Sequence, residues 1–288
     1  MTADAAFEWK RWHERRVESV SAPYGPLALT GTHWFEDYPD GRLPDIPGIW
    51  SPEDGGVALT AVAADGLTVD GQPLDGAVRL EADTGEADAA RVAYGERRLV
   101  VLVREGVWGV RDFDPASEGR RAFRGIEATP YDPRWSVRGR FTPYDEGRVV
   151  RVENADGRER GLGLAGEVAF VVEGRELTLQ VAAQGDVLWA VFADGSGGNG
   201  WNGGNGWNGG NGGNGGNDGN GGNDGKGSGS FRFRFLYPAA PDEEGWTTVD
   251  FNRTQLPPCA FADHFICPFP PPGNTLDVAI EAGERHLI

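Results

Sequence analysis

Aspartate–glycine pairs interrupt the chain at short intervals, and this spacing limits the possible folds more than any other feature. The pairs include Asp40-Gly41, Asp65-Gly66, Asp70-Gly71, Asp75-Gly76 and Asp156-Gly157. Such pairs are typical of tight turns between antiparallel strands, because both residues tolerate the positive φ angles that these turns require. The segments between them are short and predict a mainly β fold, a single antiparallel barrel or sandwich-like domain.

Alternating and apolar runs mark the expected strands. Leu177, Leu179 and Val181 alternate with polar residues, so one face of that strand should be buried and the other exposed to water. The candidate strands cover residues 56–63, 77–82, 98–104, 107–113, 136–144, 149–153, 166–173, 176–182 and 187–192.

The N-terminal segment, from about residue 4 to 21, has helical periodicity instead. Its apolar face is interrupted by Arg16, and Pro23 ends the helix. The face consists of Trp9, Trp12, His13, Val17 and Val20. We expect one helix followed by a β region over about 24–288, within a single domain spanning 1–288.

A Gly/Asn tract occupies about residues 195–229, with asparagine at every third position from Asn199 to Asn223. Its composition offers too little apolar surface to offset the entropy of ordering the chain, so we expect a flexible insertion. A three-fold extended glycine helix also matches the period. Phenylalanines at 231, 233 and 235 alternate with arginines, which predicts a strand paired with 187–192. The tract is therefore interpreted as an enlarged hairpin loop.

The charge balance excludes several partners. The 27 Lys and Arg against 44 Asp and Glu give the 288 residues a formal net charge of −17. This charge repels phosphate backbones, whose binding depends on Lys and Arg, so neither nucleic acid nor an anionic membrane is an expected partner. No run approaches the roughly 18 apolar residues of a membrane-spanning helix. The first 20 residues are charged, unlike a secretory signal. We expect a cytoplasmic protein and leave its oligomeric state open.

Two cysteines, Cys259 and Cys267, are too few for a disulfide framework, and a cytoplasmic location favours reduced, largely buried thiols. With His264 they form a Cys-x4-His-x2-Cys pattern that could hold zinc if His33 or His286 completed the site. The alternative is that both cysteines pack as small apolar side chains. We predict no metal and no cofactor.

The C-terminal segment places polar side chains between prolines, which restrict φ and exclude a helix. Asp250, Asn252, Arg253 and Cys259 are therefore expected on an irregular loop, where binding residues are common. Residues three apart on a strand point to opposite faces. Asp250 and Arg253 can converge only if the backbone bends at Phe251 to Asn252, with Phe251 buried.

Arginines form a second candidate group in the middle of this acidic chain. Guanidinium groups suit the recognition of carboxylates and phosphates, whereas internal pairing with Asp and Glu is the alternative explanation. The group comprises Arg111, Arg120, Arg121, Arg124, Arg134 and Arg138.

The run VDFNRTQLPPCAFADHFICPFPPPGNTLDVAIEAGER resembles the closing signature of the family named domain of unknown function 1684. That signature has a D-F-N-R stretch, then P-P-C-A-F, C-P-x-P-P and a terminal A-G-E. Weaker similarity covers the N-terminal helix, Leu29–Gly31 with Trp34, Arg111-Asp112 and the strand at Gly166. The resemblance implies no established activity.

Three functions are compatible with these residues. The main hypothesis is a β-rich protein that binds a small polar or anionic ligand in a pocket near the C-terminal signature. The expected ligand-binding residues are Arg124, Asp250, Asn252, Arg253 and Cys259. One alternative is a hydrolase that uses Asp250 as a base or Cys259 as a nucleophile. The other is a structural or interaction protein whose tract makes contacts through Trp201 and Trp207.

Overall fold

The structure, a computed structural model, describes residues 2–185, 187–197 and 229–288. Trp201 and Trp207, and the predictions made for the tract between 198 and 228, lie outside the described residues. The described chain is mainly antiparallel β-sheet, which confirms the predicted fold class.

The chain divides into two compact units. Unit 1 comprises Met1–Glu14, Arg124–Ala260 and Cys267–Ile288, and unit 2 comprises Arg15–Phe123 and Phe261–Ile266. The single domain expected from the sequence stays a prediction.

Helix α1 (Thr2–Val20) forms where the periodicity predicts it. The side chains of the predicted apolar face are partly or fully buried, and those of the opposite face are exposed. Arg16 also lies on the buried face, where its guanidinium is 5.2 Å from the centre of the Phe261 ring. Its aliphatic stem can therefore belong to an apolar surface while the charge contacts the ring. None of the described helices is long and apolar enough to cross a membrane.

Unit 2 contains two antiparallel sheets. The strands are β1 (Leu29–Trp34), β2 (Ile49–Glu53), β3 (Gly56–Ala61), β4 (Leu67–Val69), β5 (Gln72–Pro73), β6 (Gly76–Leu80), β7 (Val92–Tyr94), β8 (Arg97–Arg104) and β9 (Val107–Phe113). Helix α2 (Glu118–Ala122) and short 3-10 turns at Pro26–Ala28, Phe35–Asp37, Ala63–Asp65 and Ala87–Ala89 complete the unit. The larger sheet has the order β1-β9-β8-β7-β4-β5 and the smaller one β2-β3-β6. Trp50, Leu59 and Val110 lie in the core of this unit.

Unit 1 is built on one large sheet. Its strands are β10 (Ile126–Ala128), β11 (Ser136–Glu153), β12 (Glu159–Val172), β13 (Arg175–Gln184), β14 (Val187–Phe192), β15 (Arg234–Leu236), β16 (Trp246–Asp250) and β17 (Glu284–Leu287). The 3-10 turns of this unit are Pro133–Trp135, Phe251–Arg253 and Pro258–Ala260. The large sheet has the order β15-β14-β13-β12-β11-β16, and β10 pairs with β17.

The core of unit 1 surrounds Phe251. Its ring lies 5.4 Å from Phe170, 6.0 Å from Phe192 and 6.5 Å from Trp135, centre to centre, and each pair meets edge to face. Edge-to-face aromatic pairs contribute stability beyond that of the apolar area they bury. The D-F-N-R stretch is therefore tied to the centre of the unit by its phenylalanine.

Four of the five predicted aspartate–glycine turns are confirmed. The turn predicted at Asp75-Gly76 is wrong, because Gly76 is the first residue of strand β6. All five glycines have positive φ, and at Asp70-Gly71 both residues do, with φ of 51° and 76°. Two successive positive φ angles are the geometry of a type I′ turn, which joins β4 to β5 here.

The strands on either side of the Gly/Asn tract pair as predicted. Ala190, Val191 and Phe192 of β14 lie opposite Leu236, Phe235 and Arg234 of β15. Next to the tract, the Ser230 N–H donates to the Ser196 carbonyl at 2.8 Å. The predicted strand at 231–235 is wrong in part, because it begins only at Arg234.

The alternation of this segment predicts that Arg234 faces the solvent while the phenylalanines face the core. This prediction is wrong, because Arg234 is 1% exposed and its neighbours Phe233 and Phe235 are buried as well. The reason is a carboxylate inside the unit: Arg234 Nη2 lies 2.6 Å from Asp194 Oδ2. A buried guanidinium is tolerated where such a partner neutralises it.

Candidate functional site

The backbone bends at the predicted position in the D-F-N-R stretch. Strand β16 ends at Asp250, and Phe251–Arg253 form a 3-10 turn that begins with the Asp250 carboxylate accepting the Asn252 N–H. Phe251 is fully buried. The turn brings Arg253 Nε to 3.3 Å from Asp250 Oδ2, so the predicted convergence of these two side chains is confirmed.

Asn252 connects this turn to two other segments of unit 1. Its side-chain amide donates to the Asp132 carbonyl at 3.0 Å and to Asp250 Oδ1 at 2.9 Å, and its oxygen accepts the Asp132 N–H at 2.9 Å. Its backbone carbonyl accepts the indole N–H of Trp9 at 2.8 Å. Asn252 is fully buried, and both of its amide N–H groups donate hydrogen bonds. Its role is therefore to hold the backbone of the loop in place.

Arg253 is the most accessible member of the stretch. Its side chain is 42% exposed, and its guanidinium lies 6.0 Å from the centre of the Trp12 ring. The Asp250 carboxylate contacts one edge of this guanidinium. The other N–H groups of Arg253 can still donate hydrogen bonds.

Arg124 lies at the far end of β17 from this turn. Its backbone N–H donates to the Ile288 carbonyl at 2.7 Å. The other end of β17 follows Gly283, whose Cα has no room for a side chain because a Cβ would lie 2.8 Å from the Phe251 carbonyl oxygen. Five strand residues span about 16 Å. The structure therefore brings Asp250, Asn252 and Arg253 together and places the Arg124 backbone a strand length away.

Cys259 and Cys267 form a close pair of free thiols in unit 1. The Cys259 N–H lies 3.2 Å from Cys267 Sγ, and Cys267 is buried whereas Cys259 is partly buried. The hydrogen bond to Cys267 and then burial raise the pKa of the Cys259 thiol. A nucleophilic cysteine requires the opposite shift, and Asp250 is already engaged by Arg253. These contacts activate neither residue in the way that the hydrolase hypothesis requires.

The structure also bears on the zinc hypothesis. Within residues 2–185, 187–197 and 229–288, no group of three or more His, Cys, Asp and Glu side chains is arranged to hold a metal ion.

A concave surface of unit 1 lies beside the D-F-N-R turn, on the strand pair β11–β16. It is a solvent-open groove of about 540 Å³, which we call the Trp246 groove. Its lining includes Ser136, Arg138, Ala239, Asp242, Trp246 and Thr248. Ser136 lies opposite Asp250 in the strand register, so the groove and the D-F-N-R turn share one edge of the sheet.

Two arginines flank the tryptophan of this groove. Arg138 and Arg140 lie on the same face of β11, and the register sets them opposite Thr248 and Trp246. Their guanidinium carbons are 3.7 Å and 5.4 Å from the centre of the Trp246 ring. Gly139 between them permits this arrangement, because a Cβ there would lie 2.8 Å from Val168 and Val249 in the core.

The arginine cluster predicted from the sequence separates into different roles. Arg134 pairs with Asp132 at 2.6 Å, and Arg120 donates to the carbonyl of Ser21. Arg138, in contrast, makes no ion pair with any residue that the structure describes. Internal pairing therefore explains Arg134 but not Arg138.

In unit 2, the polar groups around Asp112 hydrogen-bond to one another. A bulge at Thr30 turns its hydroxyl toward Asp112 Oδ2 at 3.2 Å, and Arg97 donates to both oxygens of the same carboxylate. His33 packs against Gly31, where a Cβ would lie 2.5 Å from the imidazole Nε2. Burial lowers the pKa of His33, although Asp112 opposes the shift.

Sequence reasoning did not find Trp246 or Arg140. The spacing Arg138-x-Arg140 on a predicted strand indicates two charges on one face. The tryptophan that they enclose comes from a strand far along the chain, and no local pattern identifies such a partner.

The fold and the groove define a mainly antiparallel β protein with an arginine- and tryptophan-lined surface groove. The family described as Protein of unknown function (DUF1684) matches residues 121–205 and 223–285, half of the chain, and this chain belongs to that family. The resemblance of the C-terminal signature is thereby confirmed.

One solved structure with similarity to this chain is the solution NMR structure of an uncharacterized protein of Haloarcula marismortui. It has 25% sequence identity and a TM-score of 0.40, covering 58% of this chain and 78% of that chain. No curated protein matches this chain significantly.

Proposed function

We propose that this protein binds a small ligand bearing a carboxylate or phosphate group in the Trp246 groove, beside the D-F-N-R turn. The observation that carries the proposal is Arg138, whose guanidinium stacks 3.7 Å from the centre of the Trp246 ring without a carboxylate partner among the described residues. Stacking occupies the face of a guanidinium and leaves its N–H edge directed outward. That edge fits two anionic oxygens at once.

The rest of the groove supports the same class of ligand. Ser136 and Thr248 supply hydroxyl groups, and Ala239 supplies an apolar wall. The Asp242 carboxylate accepts the Trp246 N–H at 2.7 Å, which holds the start of β16 in place. In a chain with a net charge of −17, Arg138 and Arg140 offer an anion two guanidinium groups that make no ion pair with a described residue.

A cytoplasmic location is part of this proposal. The two unlinked cysteines support it, because cytoplasmic reductants keep thiols reduced.

Binding is tested by following the Trp246 indole N–H in NMR spectra during titration with citrate and, separately, with inorganic phosphate. The signal is assigned with Trp246→Phe, since the chain has 10 tryptophans. We expect a saturable shift with at least one of the two anions. Arg138→Gln should weaken that binding about tenfold or more, because a hydrogen bond to a charged group contributes about 1.5–3 kcal/mol.

Arg148 offers a matched control on the same strand. Its guanidinium stacks on Tyr144 at 3.8 Å, much as Arg138 stacks on Trp246, but it does not line the groove. Arg148→Gln should leave the affinity unchanged at constant ionic strength. If neither anion gives a saturable shift, or if both variants weaken binding equally, the groove is not a specific anion site.

A further inference from the structure

The cysteine pair of unit 1 is asymmetric. Cys259 belongs to the 3-10 turn Pro258–Ala260 and is partly buried, whereas Cys267 is 4% exposed. The backbone N–H of Cys259 donates to Cys267 Sγ at 3.2 Å. A donor of one cysteine therefore lies directly against the sulfur of the other.

This geometry assigns different chemistry to the two sulfurs. Hydrogen bonds donated to a sulfur favour its anionic form, so Cys267 is the member that can exist as a thiolate. Cys259 keeps its proton, because its hydrogen bond to Cys267 and its burial raise the pKa of its thiol. The charge of Arg232 opposes that shift at Cys259, and the hydrogen bond and burial outweigh it. A thiolate beside a protonated thiol is the arrangement of a reactive and a resolving cysteine.

We propose that Cys267 and Cys259 form a peroxide-reactive dithiol, in which Cys267 is oxidised first and Cys259 converts it to a disulfide. This site is separate from the Trp246 groove and does not depend on ligand binding there. The oxidant is hydrogen peroxide, a molecule small enough to reach a sulfur that bulky reagents reach poorly.

The reaction balances in two steps. The Cys267 thiolate attacks one oxygen of hydrogen peroxide, the O–O bond breaks, and the departing hydroxide takes up a proton to become water. Cys267 is then a sulfenic acid. Cys259 gives up its S–H proton and its sulfur attacks Cys267, the S–O bond breaks, and a second water leaves. Two thiols and one peroxide thus become one disulfide and two waters, and a cellular dithiol reductant reverses the change.

The bond would close a short loop. The residues between the cysteines include Phe261–Ile266, which belong to unit 2, whereas both cysteines belong to unit 1. Oxidation would therefore constrain the conformation of the segment between the two cysteines.

The test uses the folded, full-length protein. Reduced protein is exposed to a small excess of hydrogen peroxide at neutral pH, quenched with catalase, unfolded, and treated with N-ethylmaleimide. We expect an intact mass lower by two hydrogen atoms, no maleimide uptake, and full recovery of both thiols after dithiothreitol. Peptide mapping without reductant should find the bond within one chain.

Two variants test the assigned roles. Cys259→Ser should stop at a sulfenic acid on Cys267 that dimedone traps, and Cys267→Ser should remain unoxidised at the same dose. N-acetylcysteine treated alongside confirms that the dose oxidises an ordinary thiol. The proposal is overturned if the wild-type protein keeps both thiols while N-acetylcysteine is oxidised. Oxidation of Cys267→Ser but not of Cys259→Ser would overturn it too. The wild-type experiment decides the matter even if a serine variant fails to fold.

Discussion

The buried ion pair between Arg234 and Asp194 should contribute far more to stability than an exposed pair of similar geometry. The two side chains are 1% and 3% exposed, and Nη2 lies 2.6 Å from Oδ2. Arg234 also donates to the carbonyls of Ala282 at 2.6 Å and Ile280 at 2.9 Å. Burial lowers the pKa of the Arg234 guanidinium, and Asp194 opposes that shift by stabilising the charge.

We change the carboxylate to an amide of the same shape with Asp194→Asn. Removing one partner of a buried pair costs about 3–5 kcal/mol, because the other charge stays buried without compensation. We expect the lower end, about 3 kcal/mol, since two carbonyls still accept from Arg234. Arg234→Met combined with Asp194→Asn should cost less than the sum of the single changes, with a coupling of at least about 1.5 kcal/mol.

Urea unfolding followed by circular dichroism measures these differences. The control is Asp277→Asn in the same unit, where Arg175 lies 3.0 Å from Asp277 and the side chains are 57% and 73% exposed. Exposed pairs contribute little, so this variant should lose about 0.5 kcal/mol at most. Equal losses for Asp194→Asn and Asp277→Asn, or strictly additive single changes at 194 and 234, would refute the argument from burial.

Three more predictions follow from other contacts. Burial lowers the pKa of His33 below 6.5, so unfolding should bind a proton and stability should fall as pH drops below about 6.5. His33→Gln should reduce the dependence of the urea midpoint on pH between pH 8 and 5. An unchanged dependence would show that His33 does not cause it. Asn252→Asp places a carboxylate oxygen 2.9 Å from Asp250 Oδ1 and should cost about 3 kcal/mol or more in the same urea assay, whereas a loss below 1 kcal/mol would contradict the connecting role. Replacing residues 198–228 with a short turn should preserve the circular dichroism spectrum and not lower the melting temperature, because Gly197 and Ser230 already pair; an unfolded product would show that the tract is required.

Several turns and the longest strands could be predicted from the sequence because the information that sets them is local. Glycine after aspartate permits positive φ whatever surrounds it, and β9 (Val107–Phe113) and β14 (Val187–Phe192) begin and end where their apolar runs do. The bend at Phe251 was predicted on a different ground. Asp250 and Arg253 could converge only if the backbone bent between them, and the 3-10 turn supplies that bend.

The candidate site could be predicted only in part. The D-F-N-R residues were identifiable from their composition, but the Trp246 groove was not. Arg138 and Trp246 meet through the register of β11 against β16. Register depends on which faces are buried and on how distant strands pair, so it is a property of the assembled sheet.

Sequence by itself determined four aspartate–glycine turns, the positions of the longest strands, and which face of α1 is apolar. Tertiary structure alone decided which polar groups could be buried. Arg234 alternates with phenylalanines and reads as a solvent-facing residue, yet it lies inside unit 1 because Asp194 and two carbonyls reach it there. The cost of burying a charge depends on the partners that surround it, and those partners come from segments that only the fold brings together.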